Sequence, residues 1–194
     1  WYYKSKSEFL SKFIGPDCYD TMLDVGAGTG YFSKALIEEE KVKRAFCVDS
    51  AYDRNWIDKE NDMGKRVVFQ NEVEVIDTDL VLFMDVLEHI EDDTKFLIDY
   101  KRKVPSGTRI IISVPAFDFL WSGHDVFLGH HRRYTAKRLE NVLNLADFKV
   151  DKLCFFFATI LPAVLLARYF RRSEKHLDSN NSRSDLKIYH PIIN

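Results

Sequence analysis

Apolar residues along this chain of 194 residues follow two spacings that alternate from one end to the other. Short, continuous apolar runs predict buried strands, and apolar residues three or four positions apart predict helices between them. The predicted strands span residues 22–25, 44–48, 66–70, 80–84 and 108–114. The predicted helices span residues 1–14, 32–39, 51–60, 92–103 and 135–145. This alternation predicts an α/β fold with a doubly wound, mostly parallel sheet, whose binding sites lie at the carboxyl ends of its strands.

The chain is expected to form one domain, residues 1–194, because its length suits a single hydrophobic core. Within it we expect an N-terminal helix (1–15), a sheet-forming core (20–150) that includes a long loop (115–135), and an apolar C-terminal extension (153–194). The 28 basic and 30 acidic residues nearly balance, so no nucleic-acid partner is expected. Three widely spaced cysteines form neither a disulfide framework nor a zinc pattern, which predicts a reducing, cytoplasmic setting.

A glycine-rich turn follows the first predicted strand. Asp24 ends that strand, and Gly26, Gly28 and Gly30 then lead into the next helix. Glycines allow the backbone to approach a ligand closely, and the start of a helix offers unpaired N–H groups and the positive end of its dipole. The fingerprint of dinucleotide-binding proteins requires a further glycine where this chain has Tyr31. The turn therefore predicts a nucleoside-containing cofactor and disfavours a nicotinamide dinucleotide.

The run from Asp24 to Gly30 resembles the first motif of class I S-adenosylmethionine-dependent methyltransferases, which makes residues 20–150 the cofactor-binding core. Asp49 ends the second strand, where a carboxylate can accept hydrogen bonds from both ribose hydroxyls. Residues 80–90 resemble the fourth-strand motif of small-molecule methyltransferases related to ubiquinone-pathway enzymes. That resemblance implies that Asp85 lines the pocket near the methionyl part of the cofactor. The predicted cofactor-binding residues are Asp24, Gly26, Ala27, Gly28, Gly30, Asp49, Ser50, Asn71, Glu72 and Asp85.

The loop 115–135 carries five aromatic residues, three histidines and an Arg-Arg pair, and it is too long to be a simple connection. Its segments 121–125 and 130–135 resemble a bacterial branch of the type 11 methyltransferases. We expect the loop to bind the acceptor and to supply a general base, because a neutral imidazole can take a proton from a hydroxyl. The candidates are His124, which is next to Asp125, and His130, with His131 in reserve. The arginines at 132 and 133 either clamp an anionic acceptor or form salt bridges.

A metal-assisted mechanism is an open alternative to proton removal by a histidine, for which no metal is predicted. Asp85, Glu88, His89 and His130 match the order of ligands in metal-assisted O-methyltransferases, including small-RNA 2′-O-methyltransferases and some ubiquinone-pathway relatives. A divalent ion held there could lower the pKa of a hydroxyl. This chain has Asp where that family has Glu, which shortens the reach. In the plainer alternative, Asp85 caps the following helix while Glu88 and His89 face solvent.

The C-terminal extension is strongly apolar over residues 153–170 and is followed by Arg171 and Arg172. We expect a sixth strand up to about residue 157 and a helix that begins around Pro162. Burial of this helix against the domain is the first expectation. Residues 153–172 could also rest on a membrane surface, giving a membrane-peripheral protein, or cover a lipid-like acceptor. Nothing in residues 186–194 resembles the usual last, antiparallel strand of the fold, so we expect a truncated chain with an incomplete sheet.

The sequence therefore predicts an S-adenosylmethionine-dependent methyltransferase that acts on a small or lipid-linked acceptor. In-line transfer to an oxygen atom, with proton removal by a histidine, is the expected chemistry. One alternative is a regulatory or partner protein that binds S-adenosylmethionine without catalysis. A second alternative, an NAD-dependent enzyme, is disfavoured by Tyr31.

Overall fold

Five parallel strands form the centre of the computed structural model, which describes residues 1–62, 66–156 and 158. The strands are β1 (Tyr19–Val25), β2 (Val42–Val48), β3 (Val67–Gln70), β4 (Leu80–Met84) and β5 (Arg109–Ser113). The helices are α1 (Tyr2–Ile14), α2 (Tyr31–Glu38), α3 (Arg54–Asp62), α4 (Asp93–Lys101), α5 (Gly123–Phe127) and α6 (Ala136–Leu145). Short 3₁₀ turns occupy Leu87–His89 and Asp118–Leu120.

The spatial order of the strands is β3-β2-β1-β4-β5. The chain moves outward from β1 to β3 and then returns to the other side of β1, so the order reverses between β1 and β4. All four neighbouring pairs are parallel, and their carboxyl ends therefore lie along one edge of the sheet. The predicted doubly wound α/β fold is confirmed, and the crevice at this reversal is where such sheets bind ligands.

Helices cover both faces of the sheet, which explains the continuous apolar runs of its strands. On one face, Leu10 of α1 and Leu36 of α2 belong to a core cluster with residues of β1 and β4. On the other face, Leu97 of α4 and Leu143 of α6 pack with alternate residues of the same strands. Every residue of β4 is buried for this reason.

Two helices near the predicted site begin at side-chain caps. The carboxylate of Asp92 accepts a hydrogen bond from the Lys95 N–H at 2.9 Å and caps α4. The hydroxyl of Thr135 accepts one from the Arg138 N–H at 3.2 Å and caps α6. Because Asp92 caps α4, the alternative role of Asp85 as a helix cap is wrong.

The predicted sixth strand is absent from residues 151–156. This segment is held by aromatic packing instead. The ring of Phe155 stacks on that of Phe117 with 5.2 Å between centroids, and the ring centroids of Phe156 and Phe9 are 4.6 Å apart. The predicted helix from residue 162 and the absence of a last strand in 186–194 lie outside the described residues. None of the helices described combines the length and the apolar character needed to cross a bilayer.

Candidate active site

The glycine turn between β1 and α2 has a backbone that other residues rarely adopt. Gly28 and Gly30 have φ angles of +53° and +70°. A Cβ atom added at Gly30 would lie 2.8 Å from the ring of Phe69, so that glycine is required for packing. A Cβ added at Gly28 would meet no atom of the protein within 4 Å. Gly28 therefore faces open space, as expected of a residue that a ligand approaches.

Backbone hydrogen bonds attach this turn to the end of β2. The N–H groups of Gly26 and Ala27 both donate to the carbonyl of Val48, at 2.7 and 3.2 Å. No side chain caps the first turn of α2, whose N-cap residue is Gly30. The N–H groups at the start of α2 therefore have no side-chain acceptor at the N-cap, and they are directed toward the crevice.

Asp49 lies beside the turn with its carboxylate already oriented. One oxygen accepts a hydrogen bond from the Gly28 N–H at 3.1 Å, and the other accepts one from the Ala51 N–H at 2.9 Å. An ionised carboxylate has about four acceptor positions, so two remain for a ligand. A pocket of about 300 Å³ next to this carboxylate is lined by Gly28, Thr29, Ala51, Tyr52, Asp53 and Trp56.

Three other residues predicted to bind the cofactor lie at the same edge. Ser50 and Asn71 are exposed after β2 and β3, respectively. Glu72 lines a second pocket, of about 290 Å³. Their roles in binding stay predictions, because exposure alone does not distinguish a ligand contact from a solvated side chain.

Asp24 is buried beneath the turn. Its carboxylate accepts a hydrogen bond from the Ser33 hydroxyl at 2.6 Å, and the Cys47 thiol lies 3.2 Å from that hydroxyl. Burial raises the pKa of Asp24 to about 7, an effect that the hydrogen bond from Ser33 partly offsets. Asp24 therefore supports the turn from below.

Asp85, directly after β4, is connected to the N-terminal helix. Its φ angle of +58° is unusual for a residue with a side chain. One carboxylate oxygen accepts a hydrogen bond from the Ser113 hydroxyl at 3.0 Å, and the other pairs with the ammonium of Lys6. The Tyr2 hydroxyl lies 3.5 Å from that second oxygen. Through these contacts α1 reaches the carboxyl edge of the sheet.

Lys6, which is only 3% exposed, was not among the residues predicted for the site. A signal was present, because Lys6 lies four residues from both Tyr2 and Leu10 and therefore on the same face of the helix as these residues. A single charged residue on an otherwise apolar helix face indicates a buried partner.

Glu88 is buried to 99%, so the alternative in which Glu88 and His89 both face solvent is wrong for Glu88, whereas His89 is exposed as that alternative expects. Its Oε2 atom has no hydrogen-bond partner within the described residues. Burial, together with the nearby Asp85 carboxylate, raises the pKa of Glu88 to about 8, although Lys6 and Arg133 partly oppose this. A buried carboxyl oxygen without a partner is costly for folding alone and indicates a ligand.

A buried ion-pair network organises the loop 115–135. Asp125 is fully buried, and its carboxylate accepts hydrogen bonds from Arg133 Nε at 2.7 Å and from the Ser122 N–H at 2.8 Å. It also lies 2.9 Å from His130 Nδ1, so Asp125 orients an imidazole five residues away. Burial alone would raise the pKa of Asp125, but the bonds from Arg133 and His130 outweigh it and hold that pKa below its usual range.

The adjacent arginine is engaged in a similar way. Arg132 pairs with the buried Asp93 at 3.1 Å and donates to the Glu91 carbonyl at 2.6 Å. The Tyr134 hydroxyl donates to the same Asp93 oxygen at 2.7 Å. Arg132 and Arg133 both form salt bridges within the chain, which favours the structural alternative over an anion clamp.

Three side chains converge where this loop meets the turn after β4. The ligand atoms of Glu88, His89 and His130 all lie within 4.8 Å of one another, and Asp85 is not part of this group. The two imidazole rings meet edge to face, with 4.7 Å between centroids. Partial desolvation of its ring and the neighbouring His130 lower the pKa of His89, which favours its neutral form. Two imidazole rings and one carboxyl group can move a proton or hold a divalent ion.

The fold and the glycine turn define a class I S-adenosylmethionine-dependent methyltransferase domain. A family model described as a methyltransferase domain matches residues 4–153, and the chain belongs to this family. The predicted class is therefore confirmed, and the type 11 branch is compatible with it. Among curated protein sequences, none matches this chain.

Solved methyltransferases share the fold at low sequence identity. A candidate O-methyltransferase from Nostoc punctiforme is 18% identical, with a TM-score of 0.62 over 77% of this chain and 51% of that one. An O-methyltransferase family 2 protein from Planctomyces limnophilus, solved with apigenin, is 16% identical, with a TM-score of 0.59 over 77% and 51%. A candidate methyltransferase from Bacillus halodurans is 18% identical, with a TM-score of 0.59 over 78% and 72%. This chain thus spans about half the length of the first two proteins.

Proposed function

We propose that this protein transfers a methyl group from S-adenosylmethionine to a hydroxyl of a small or lipid-linked acceptor. The observation that carries the proposal is the hydrogen bond between Asp125 and His130, 2.9 Å long, at the place where Glu88 and His89 converge. The similar Planctomyces limnophilus protein, solved with apigenin, supports an acceptor that is a small molecule.

The residues at the carboxyl edge fit the cofactor. Gly28 faces open space, Asp49 keeps acceptor positions for two hydroxyls, and the adjacent pocket of about 300 Å³ is at the lower end of the usual range for small-molecule sites. Asp49 would hold the ribose, and the N–H groups at the start of α2 would face the polar groups of the methionyl part. When bound, S-adenosylmethionine supplies an electrophilic methyl group on a positively charged sulfur.

His130 is the base that we propose for the acceptor hydroxyl. Its Nδ1 atom faces the Asp125 carboxylate, so a proton on Nδ1 leaves Nε2 able to accept one. The Asp125 carboxylate also stabilises the imidazolium that results. Arg133 holds that carboxylate through two hydrogen bonds and thereby fixes the position of the imidazole. Proton removal makes the acceptor oxygen a stronger nucleophile.

Methyl transfer from radiolabelled S-adenosylmethionine to a panel of hydroxyl, amine and lipid-linked acceptors tests this proposal. We expect His130→Gln to lower the rate by about 10²- to 10⁴-fold, the usual contribution of a general base, and to leave cofactor binding intact in calorimetry. His131→Gln changes the adjacent, exposed imidazole and is the comparison. Wild-type activity in His130→Gln would exclude His130 as the base. Cofactor binding without transfer to any acceptor would favour the non-catalytic alternative.

A second candidate, metal-assisted transfer, is favoured by the unpartnered Oε2 atom of Glu88. Glu88, His89 and His130 would hold a divalent ion, with His130 oriented by Asp125 in the manner of metal-binding histidines. The ion would lower the pKa of a hydroxyl bound to it. Asp85 would stay outside this ligand set because Lys6 and Ser113 hold its carboxylate.

Manganese titration by calorimetry and electron paramagnetic resonance, in the absence of any acceptor, separates the two candidates. We expect the wild type to bind one ion, and Glu88→Ala to lose that ion while still binding S-adenosylmethionine. If the wild type stays active after exhaustive chelation, the metal-assisted candidate is excluded and His130 is left as a general base without a metal.

A further inference from the structure

Three aromatic side chains pack together beside the glycine turn. We define the aromatic triad as Tyr52, Trp56 and Phe69, which come from the loop before α3, from α3 and from β3. The rings of Tyr52 and Trp56 stack with 4.2 Å between centroids, and both meet the ring of Phe69 edge to face, at 5.8 and 4.9 Å. Tyr52 and Phe69 are only 9% and 2% exposed. The triad is therefore a closely packed group whose members hold one another in place.

The triad contacts the turn at two of its glycines. The ring of Phe69 packs directly on Gly30, because a Cβ atom added there would lie 2.8 Å from that ring. The hydroxyl of Tyr52 donates a hydrogen bond to the Gly28 carbonyl. Tyr52 reaches the turn because the chain bends back after β2, where the Tyr52 N–H donates to the Asp49 carbonyl at 3.2 Å. Through Tyr52 the triad thus makes a directional contact with the turn in addition to packing on it.

Gly28 is held by side chains on both sides of its backbone. Its N–H donates to the Asp49 carboxylate at 3.1 Å, and its carbonyl accepts from the Tyr52 hydroxyl. Glycine has more conformational freedom than any other residue, so these two hydrogen bonds restrict a backbone that would otherwise have many alternatives. A turn that is fixed before a ligand arrives loses less entropy when the ligand binds.

The contact with Tyr52 also determines where the next backbone donor points. The peptide bond between Gly28 and Thr29 is trans and planar, so its C=O and N–H groups point in opposite directions. The Thr29 N–H is therefore directed away from the Tyr52 hydroxyl, and within the described part of the chain no acceptor receives it. Thr29 is also exposed. Tyr52 thus keeps a backbone donor of the turn available to a ligand.

We propose that Tyr52 is a positioning residue for the cofactor: it acts through Gly28 and holds the glycine turn in the conformation that binds S-adenosylmethionine. The identity of this ligand rests on the proposed function, whereas the effect of Tyr52 on the turn does not. Tyr52 supports binding and takes no part in proton removal. It should therefore affect S-adenosylmethionine and its demethylated product equally, and change the KM for the cofactor without changing kcat.

Titration calorimetry on Tyr52→Phe, which keeps the ring and removes the hydroxyl, tests the proposal. The matched control is Tyr19→Phe, which also removes one hydroxyl: that of Tyr19 accepts a hydrogen bond from Arg109 at 2.7 Å, at the start of β1 and the opposite edge of the sheet. We expect Tyr52→Phe to bind both S-adenosylmethionine and its demethylated product about 3- to 10-fold more weakly, the usual effect of losing one hydrogen bond. We expect Tyr19→Phe to bind them as the wild type does.

Hydrogen exchange of backbone amides, measured without any ligand, reports on the turn itself. In Tyr52→Phe we expect residues 26–30 to exchange about 3- to 10-fold faster than in the wild type, because the turn opens more easily without the hydroxyl. In Tyr19→Phe we expect these residues to exchange at the wild-type rate. Thermal melting accompanies both measurements, and we expect a similar decrease in Tm for the two variants, since each loses one hydrogen bond.

Three results would overturn the proposal. They are wild-type exchange of residues 26–30 in Tyr52→Phe, an equal loss of cofactor affinity in the two variants, and a lower kcat in Tyr52→Phe at saturating S-adenosylmethionine, which would place the hydroxyl in the chemistry. If the wild type does not bind S-adenosylmethionine, the proposed function fails, and the exchange rates alone then decide whether Tyr52 holds the turn.

Discussion

Replacing Gly28 by alanine separates the effect of the glycine turn on ligand binding from its effect on folding. The residue has a φ angle of +53°, and a Cβ added there would meet no protein atom within 4 Å. The left-handed backbone costs an alanine about 1–2 kcal/mol, and the reduced freedom of the unfolded chain returns about 0.4–1 kcal/mol. The expected net loss is about 1 kcal/mol, or a decrease of about 2–4 °C in Tm.

Gly107→Ala is the matched control. Gly107 has a φ angle of +91° and also has no atom within 4 Å of an added Cβ, but it precedes β5 at the opposite edge of the sheet. Its substitution should therefore cost stability of the same order without touching the cofactor site. Any difference in affinity between the two variants must arise from the ligand.

The new methyl group of Gly28→Ala occupies space that we assign to S-adenosylmethionine. Overpacking of this kind costs about 1–3 kcal/mol, which corresponds to about 5- to 150-fold weaker binding at about 1.4 kcal/mol per tenfold change. Titration calorimetry with S-adenosylmethionine and its demethylated product measures this loss, and thermal melting measures stability. Wild-type affinity in Gly28→Ala, or an equal loss in Gly107→Ala, would refute the assignment of the turn.

Three further variants test the packing and charges around the site. Gly30→Ala should destabilise the protein by about 3 kcal/mol, because the strain of a side chain at φ +70° adds to a contact of 2.8 Å between the new Cβ atom and the Phe69 ring. A loss under about 1 kcal/mol in urea unfolding would contradict this expectation. Asp24 has a pKa raised to about 7, so it stabilises the fold in its protonated form and this contribution is lost as the pH rises from about 4 through 7. The asparagine of Asp24→Asn cannot ionise, so the stability of this variant relative to the wild type should rise by about 2 kcal/mol between about pH 5 and pH 8. A difference in unfolding free energy that stays constant with pH in urea unfolding would show that the pKa of Asp24 is not raised. Lys6→Met removes the cation that pairs with Asp85 and should lower the free energy of unfolding by about 2 kcal/mol. This is less than the loss for a fully buried pair, because the Asp85 side chain is 35% exposed. An unchanged urea midpoint would show that this ion pair is neutral for stability.

The strand boundaries show why local patterns predict a sheet only in part. The pattern placed the start of the second strand at residue 44, but β2 begins at Val42, which pairs with Tyr19 of β1. The exposed polar side chains near these ends, such as Asp20 and Lys43, obscure the apolar pattern. Pairing between strands, which depends on residues distant in sequence, sets these ends. In residues 151–156, where the sixth strand was predicted, Phe155 and Phe156 instead pack on rings from other parts of the chain.

The acceptor side of the site shows a second limit. The sequence placed His124 beside Asp125, but the structure brings His130 to that carboxylate, because the short helix α5 and the turn after it reverse the chain. The pairing of Lys6 with Asp85 joins residues 79 positions apart, so the helical spacing indicates a buried partner for Lys6 but not which residue that partner is. Glu88 could be singled out from its motif, but its burial depends on the loop that covers it.

The sequence by itself determined the α/β sheet and the glycine turn, because both depend on local patterns: continuous apolar runs, and glycines where the backbone takes positive φ angles. Tertiary structure alone decided which polar side chains meet at the carboxyl edge. The grouping of Glu88 with His89 and His130, and the orientation of His130 by Asp125, require the loop to fold over the end of β4. Burial then raised the pKa of Glu88, because the cost of a charge depends on surroundings that come from the whole chain.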